Sequence, residues 1–90
     1  MEKETFDDKK VLTTRLGDYL PFLDSDPSEY KPVGIHSEAI TYDTCFASFK
    51  NHAQDLNAKV VVDFQHIPIL NKGYHQHYMH GTAIVPRKWT

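Results

Sequence analysis

The sequence predicts a single small α+β domain with a βαββ core, in which one helix packs on a mixed sheet. Three observations support this fold class. An amphipathic helical pattern over residues 41–57 lies between segments rich in β-branched and aromatic residues. The turn sequence at residues 71–73 (NKG) separates the last two of these segments as a β-hairpin. The length of 90 residues suits one domain with a thin core, which self-association would help to bury.

The part of the chain before the core predicts an irregular N-terminal segment. Residues 1–10 are mostly charged, so we expect a flexible tail there and a folded domain over residues 11–90. Residues 11–16 contain the valine, leucine and threonines of a short strand. Residues 16–23 are apolar, but a glycine and a proline interrupt them, which favours an irregular turn over a helix.

The helix has both end signals and a clear apolar stripe. Thr41 is a preferred N-cap residue, and Asp43 places a negative charge in the first turn. Asn57 can adopt the left-handed conformation that ends a helix. Apolar side chains recur at three- and four-residue steps, and we expect this stripe to pack on the sheet. The stripe consists of Tyr42, Cys45, Phe46, Phe49, Ala53 and Leu56.

Three segments have the composition of strands: residues 32–40, 59–67 and 74–85. The uninterrupted apolar start of 59–67 indicates a central strand that is buried on both faces. The helix can cross over between the first two strands, which would then be parallel, and the hairpin adds an antiparallel partner. The helix covers one sheet face, so the other needs the N-terminal segment or a second subunit.

Composition and motifs exclude several classes of function. A net charge of −2 offers no basic surface for nucleic acid or an anionic membrane. The charged N-terminus lacks a signal-peptide core, and no apolar stretch approaches the length of about 20 residues that a membrane span needs. The single cysteine allows no intrachain disulfide, so we expect a cytoplasmic protein. Without a phosphate loop, nucleophile elbow or CxxC pair, we expect no enzyme.

Four segments resemble the YbjQ-like family of small bacterial and archaeal proteins. Residues 33–39 (VGIHSEA) are similar to that family's G-x-x-x-G-E-A strand, and residues 56–64 (LNAKVVVDF) to its G-A-N-A-V-V-G-V stretch. Residues 81–85 (GTAIV) are similar to its closing G-T-A-V-V strand, and residues 11–14 (VLTT) to its early V-T-T-T. The resemblance implies a βαββ domain that assembles as a ring, commonly a pentamer, and binds a heavy metal or a small ligand.

The hairpin concentrates four histidines, His66, His75, His77 and His80. Neutral imidazole is a common ligand of zinc and other transition metals, and a His-x-His spacing on a strand puts both rings on one face. We expect His66, His75 and His77 to form the metal site. Solvated side chains on an edge strand, which discourage edge-to-edge pairing, are the other interpretation of these histidines.

The register of the hairpin decides which histidines meet. A two-residue turn at positions 71 and 72 places His66 opposite His77, so that His66, His75 and His77 share a face. A three-residue turn that ends at position 73 moves the partner by one, and His66 then shares a face with Tyr78 and His80.

Four further residues are candidates for ligand binding. Cys45 is either a buried, inert thiol or, because it lies in the first helical turn, a reactive one. Asp63 is the one acid in an apolar strand, where it either faces solvent or orients an imidazole such as His80. Tyr78 and His80 complete this set.

Two hypotheses for the function follow. The first is a non-enzymatic homo-oligomeric protein that binds a transition metal such as zinc, or a small ligand, through the hairpin histidines. The alternative is a structural or regulatory module that binds another protein through the hairpin face or the sheet edge. Three converging imidazoles favour the first hypothesis, and dispersed imidazoles favour the second.

Overall fold

The computed structural model describes residues 6–23, 26–71 and 73–87. Three strands form one sheet: β1 (Tyr30–Ala39), β2 (Val60–Asn71) and β3 (Tyr74–Pro86). Before β1 lie the single helical turn α1 (Leu16–Tyr19) and three 3-10 turns (Asp8–Lys10, Leu20–Phe22 and Pro27–Glu29), and between β1 and β2 lies the main helix α2 (Tyr42–Asp55). The α+β class and the βαββ order are as predicted. No helix of the described residues is long and apolar enough to cross a membrane.

The strand order is β1-β3-β2, and both outer strands run antiparallel to β3. The sheet is therefore antiparallel, not mixed as predicted, and its central strand is β3 rather than β2. The helical crossover does make β1 and β2 run in the same direction, but β3 inserts between them. Among the described residues, the parallel pairing is limited to one bridge, between Val11 and Val61.

The N-terminal segment explains why β2 begins with a buried apolar run although it is an outer strand. Leu12 N–H donates to the carbonyl of Val61 (2.8 Å), and the N–H groups of Asp63 and Phe64 donate to the carbonyls of Thr14 (2.8 Å) and Leu12 (3.0 Å). These bonds cover the outer edge of β2. The apolar side chains that pack on Val60, Val62 and Ile84 are Leu12, Leu16, Tyr19, Leu23 and Tyr30. The N-terminal segment thus covers part of the second sheet face. The sequence predicted that either this segment or a second subunit would do so.

Phe6 lies in the predicted flexible tail, five residues before the predicted domain boundary, but it is only 5% exposed and belongs to the core under α2. Lys50 Nζ lies 2.7 Å from the Asp8 carboxylate and ties this segment to α2. The predicted irregular turn at 16–23 contains the helical turn α1 and a 3-10 turn. The proline of the 3-10 turn lies near its start, where a missing N–H costs little. Residues 1–5 of the predicted tail lie outside the described residues.

The helix α2 has the predicted ends and most of the predicted stripe. Thr44 N–H donates to the hydroxyl of Thr41 (3.2 Å), and Asn57 takes a left-handed conformation with φ 55°. Cys45, Phe49 and Ala53 are fully buried on the sheet. Tyr42 was predicted to pack in the same way but remains 43% exposed, because its ring lies against the hairpin side chains of His66 and His77.

Phe49 lies on the sheet where β3 carries a glycine. A Cβ atom at Gly81 would stand 3.1 Å from Cζ of Phe49, 3.0 Å from Cγ1 of Val61 and 3.2 Å from the carbonyl oxygen of Val62. The Phe49 ring meets the Phe64 ring edge-on at 5.2 Å between centroids. The helix can therefore approach the central strand closely only because position 81 has no side chain.

Replacing Phe49 by alanine should lower the free energy of unfolding by about 3–5 kcal/mol, because the side chain is completely buried and its loss leaves a cavity. Urea denaturation measures this change. Phe22→Ala is the control, since Phe22 is 73% exposed, and it should change stability by less than about 0.5 kcal/mol. A loss below about 1 kcal/mol for Phe49→Ala would show that another face of α2 carries the packing.

Gly81→Ala should destabilise the fold by about 1–3 kcal/mol, because the added methyl group meets the backbone carbonyl of Val62 and two packed side chains. Gly34→Ala is the matched control on β1, where nothing lies within 4 Å of the added Cβ. It should be neutral or stabilise by up to about 1 kcal/mol. Thermal and urea denaturation of both variants test this difference, and equal effects would contradict it.

Candidate functional site

The register of the hairpin differs from both predicted registers. Asn71 pairs with Tyr74, so two residues separate the paired ends of β2 and β3, and His66 lies opposite Met79. Gly73 has the positive φ of 90° that such a tight turn requires, whereas Lys72 lies outside the described residues. Both predicted registers were wrong. The shorter predicted turn occupied positions 71 and 72, whereas Asn71 is still paired in the structure, so the connection between the strands starts one residue later.

A β-bulge also separates the two ends of the β2–β3 pairing. Val62 pairs with Thr82, but Gln65 pairs with His80, so one extra residue is inserted on β2 between these pairs. Asp63 sits in this bulge with φ 56°. The bulge changes the register by one residue, and it therefore determines which side chains of the distal hairpin face α2.

With this register, His66, His75 and His77 lie on the sheet face that carries α2, while His80 and Tyr78 lie on the opposite face. This is the same division that the two-residue turn predicted, although the partner residues differ. His66 and His77 are diagonal neighbours, because Pro68 is the residue directly opposite His77.

His66 and His77 are in direct contact. Nε2 of His66 lies 2.8 Å from Nδ1 of His77, and the two rings are stacked with 5.0 Å between centroids. Tyr42, the first residue of α2, meets both rings edge-on, at 5.1 Å from His66 and 6.1 Å from His77. Both imidazoles are partly buried, so the pair forms a defined contact at the exposed end of the helix.

His75 does not complete a three-histidine site. It is exposed and pairs with Leu70 near the turn, two residues beyond His77 and therefore about 7 Å further along the strand. In the described parts of the chain, no three or more His, Cys, Asp or Glu side chains come close enough together to hold a metal ion. The expected cluster of His66, His75 and His77 is reduced to a pair.

Cys45 is a buried thiol that supports the strand carrying His77. Its Sγ lies 3.5 Å from the carbonyl oxygens of both Ser37 and His77, and the Ser37 hydroxyl donates to the Cys45 carbonyl at 2.9 Å. The thiol is completely buried, which closes it to reagents in the folded protein. Cys45 therefore links the start of α2 to β1 and β3 beside the histidine pair.

The opposite sheet face carries a second group of rings. His36 pairs with His80 across β1 and β3, and the Tyr78 ring lies 6.0 Å from the His36 ring and 5.7 Å from the His80 ring. These three side chains line a shallow groove of about 710 Å³, together with Gln65 and Asp63. Sequence reasoning missed His36, because its position beside His80 follows from the pairing of β1 with β3 and from no local pattern.

Asp63 was predicted to face solvent or to orient an imidazole, but among the described residues its carboxylate binds the N-terminal segment instead. Its Oδ2 accepts a hydrogen bond from the backbone N–H of Leu16 (3.1 Å), the first residue of α1. The carboxylate acts in place of a local N-cap, since Arg15 at that position makes no side-chain cap bond. Asp63 thus connects the bulge of β2 to the segment that covers it.

Comparisons with protein-family models, with curated proteins and with solved structures find no match to this chain. The resemblance to the YbjQ-like family therefore stays a prediction from the sequence motifs.

Asp63→Ala should lower the free energy of unfolding by about 1–3 kcal/mol, because alanine loses the cap of α1 and tolerates a positive φ poorly. Asp63→Asn is the matched control, since asparagine adopts the left-handed region more easily and keeps an acceptor oxygen. It should cost less than about 1 kcal/mol. Equal losses for the two variants in urea denaturation would contradict the role of the bulge conformation and the cap.

Proposed function

We propose that this chain is a non-catalytic metal-binding module that acts as a homo-oligomer, and that His66 and His77 are its ligands for a transition metal such as zinc. The observation that carries this proposal is the 2.8 Å separation of Nε2 of His66 and Nδ1 of His77. We expect the module in the cytoplasm, a reducing compartment, because a single cysteine allows no intrachain disulfide.

The two nitrogen atoms are close to the spacing that a metal needs. Tetrahedral zinc with Zn–N bonds of about 2.0–2.1 Å holds its ligand nitrogens roughly 3.3 Å apart. Small rotations of the His66 and His77 rings that widen their contact by roughly 0.5 Å would admit the ion. Each ring would then carry its proton on the nitrogen that faces away from the metal, Nδ1 of His66 and Nε2 of His77.

The surroundings hold the two rings in a limited set of positions. The edge of Tyr42 packs against both imidazoles, and the buried thiol of Cys45 contacts the backbone of His77. Because the rings are already together in the folded chain, metal binding pays little for bringing them together. Exposed histidines such as His75 lack this preorganisation.

The alternative function is a module that binds another protein, and one observation favours it. Ile67 and Ile69 are exposed on the sheet face opposite α2, in line with Tyr78 and Gln76 of β3. This face combines apolar, aromatic and polar side chains, as the surfaces of protein interfaces do. A wild-type chain that binds no metal but captures a protein through this face would support the alternative.

Zinc should bind the wild-type chain with a Kd below about 10 µM, equivalent to roughly −7 kcal/mol, in isothermal titration calorimetry. His77→Ala should weaken binding by at least about tenfold, because one of the two paired ligands is lost. His75→Ala is the matched control: it lies on the same strand and the same sheet face but is exposed and outside the pair, so its affinity should stay within about twofold of wild type.

Two results would contradict the metal site. Absence of zinc binding tighter than about 10 µM would leave His66 and His77 as a structural contact. Equal loss of affinity in His75→Ala and His77→Ala would show that binding depends on surface histidines in general. Circular dichroism of each variant, recorded before the titration, verifies that the fold is retained.

A further inference from the structure

We infer that the metal site is completed by a second copy of the chain, which contributes its own His66 and His77 across a two-fold axis. This inference rests on the proposed function. It assigns the missing ligands to a partner of defined chemistry, a second copy of this chain, and it predicts one metal ion for two chains.

One chain has fewer ligands at the histidine pair than a structural zinc site needs. A structural zinc site is almost always four-coordinate, with all four ligands from protein. The described residues offer a pair of imidazoles and no group of three or more possible ligands. A two-fold axis beside the pair doubles every ligand, because the same surface of each copy faces the other. Two copies therefore supply the four nitrogens that one copy lacks.

The surface around the histidine pair is formed by uncharged side chains, several of them exposed. The distal patch, defined as Tyr42, His66, Pro68, Leu70 and His77, lies on the α2 side of the hairpin, at or beyond the first turn of the helix. Leu70 is 68% exposed and Tyr42 is 43% exposed. None of the five side chains has a formal charge when the histidines are neutral, so two copies of the patch meet without charge repulsion.

The outer edge of β2 supports meeting through this face rather than through strand pairing. The backbone N–H of Phe64 points outward and donates to Leu12. Because backbone N–H groups alternate between the two edges of a strand, the backbone nitrogens of His66, Pro68 and Leu70 face the same outer edge. Pro68 has no N–H group, which interrupts the row of donors that an added strand would need. A second copy can therefore cover the distal patch by packing on its face, with the metal at the centre.

The opposite sheet face is a poorer place for this contact. The Gln76 side chain donates to the Glu38 carboxylate there (3.2 Å), so the corresponding region carries a formal negative charge. Two copies that meet through this face about a two-fold axis would bring two such carboxylates together. The imidazoles of His66 and His77 would also remain on the outside of that assembly.

Sedimentation velocity of the wild-type chain at about 50 µM, with zero, one half and one equivalent of zinc, tests the inference. The expected result is a dimer that is complete at one half equivalent, and native mass spectrometry should detect one zinc ion in it. Without zinc, the dimer fraction should fall at least about tenfold. His77→Ala should give no zinc-dependent dimer.

A charged substitution in the distal patch distinguishes zinc-dependent dimer formation from zinc binding by a single chain. Leu70→Glu keeps both histidines but puts a carboxylate on the exposed distal patch, where a second copy would bury it unpaired, so it should abolish the dimer while zinc still binds each chain, at least tenfold more weakly. Ile69→Glu is the matched control, because Ile69 is the adjacent residue, is 42% exposed and faces the other side of the sheet. It should dimerise like the wild type.

Several outcomes would overturn the inference. Zinc bound at one ion per chain to a monomer would refute the shared site and the homo-oligomer, but it would leave His66 and His77 as metal ligands. A dimer that forms equally without zinc and in His77→Ala, or a pentamer that is independent of zinc, would show that the metal does not join the copies. Absence of any zinc binding would refute the proposed function and the shared site together.

Discussion

The close contact between Phe49 and the backbone of β3 at Gly81 sets the distance between the helix and the sheet. With no Cβ at position 81, the Phe49 ring reaches the central strand and packs edge-on against Phe64. The helix-side core, which includes Met79 and Ala83, is buried beneath the same helix. In a chain of 90 residues the core is thin, so one contact of this kind has a large effect on stability.

The bulge at Asp63 links the two ends of the molecule. Its backbone N–H and the N–H of Phe64 turn outward to the N-terminal segment, and its carboxylate caps α1. The same extra residue shifts the register of the distal hairpin relative to the proximal sheet. A local feature that attaches the N-terminal segment therefore also determines which histidines of the hairpin share a face with α2.

The histidine pair depends on the helix as well as on the hairpin. The first turn of α2 ends the covered part of the sheet, and Tyr42 there meets both imidazoles. Below it, the buried thiol of Cys45 contacts the backbone of His77. The site thus lies at the boundary between the packed core and the exposed hairpin, where side chains are held in place but remain accessible to an ion.

The sequence by itself determined the α+β class, the limits of α2 through the Thr41 cap and Asn57, and the presence of a hairpin, because these depend on neighbours within a few residues. It also predicted a group of His66, His75 and His77, of which the structure brings His66 and His77 into contact. Only the tertiary structure decided the central position of β3, the bulge at Asp63 and the separation of His75 from the pair. Strand order and register depend on hydrogen bonds between residues far apart in the chain, and one inserted residue changes every partner beyond it.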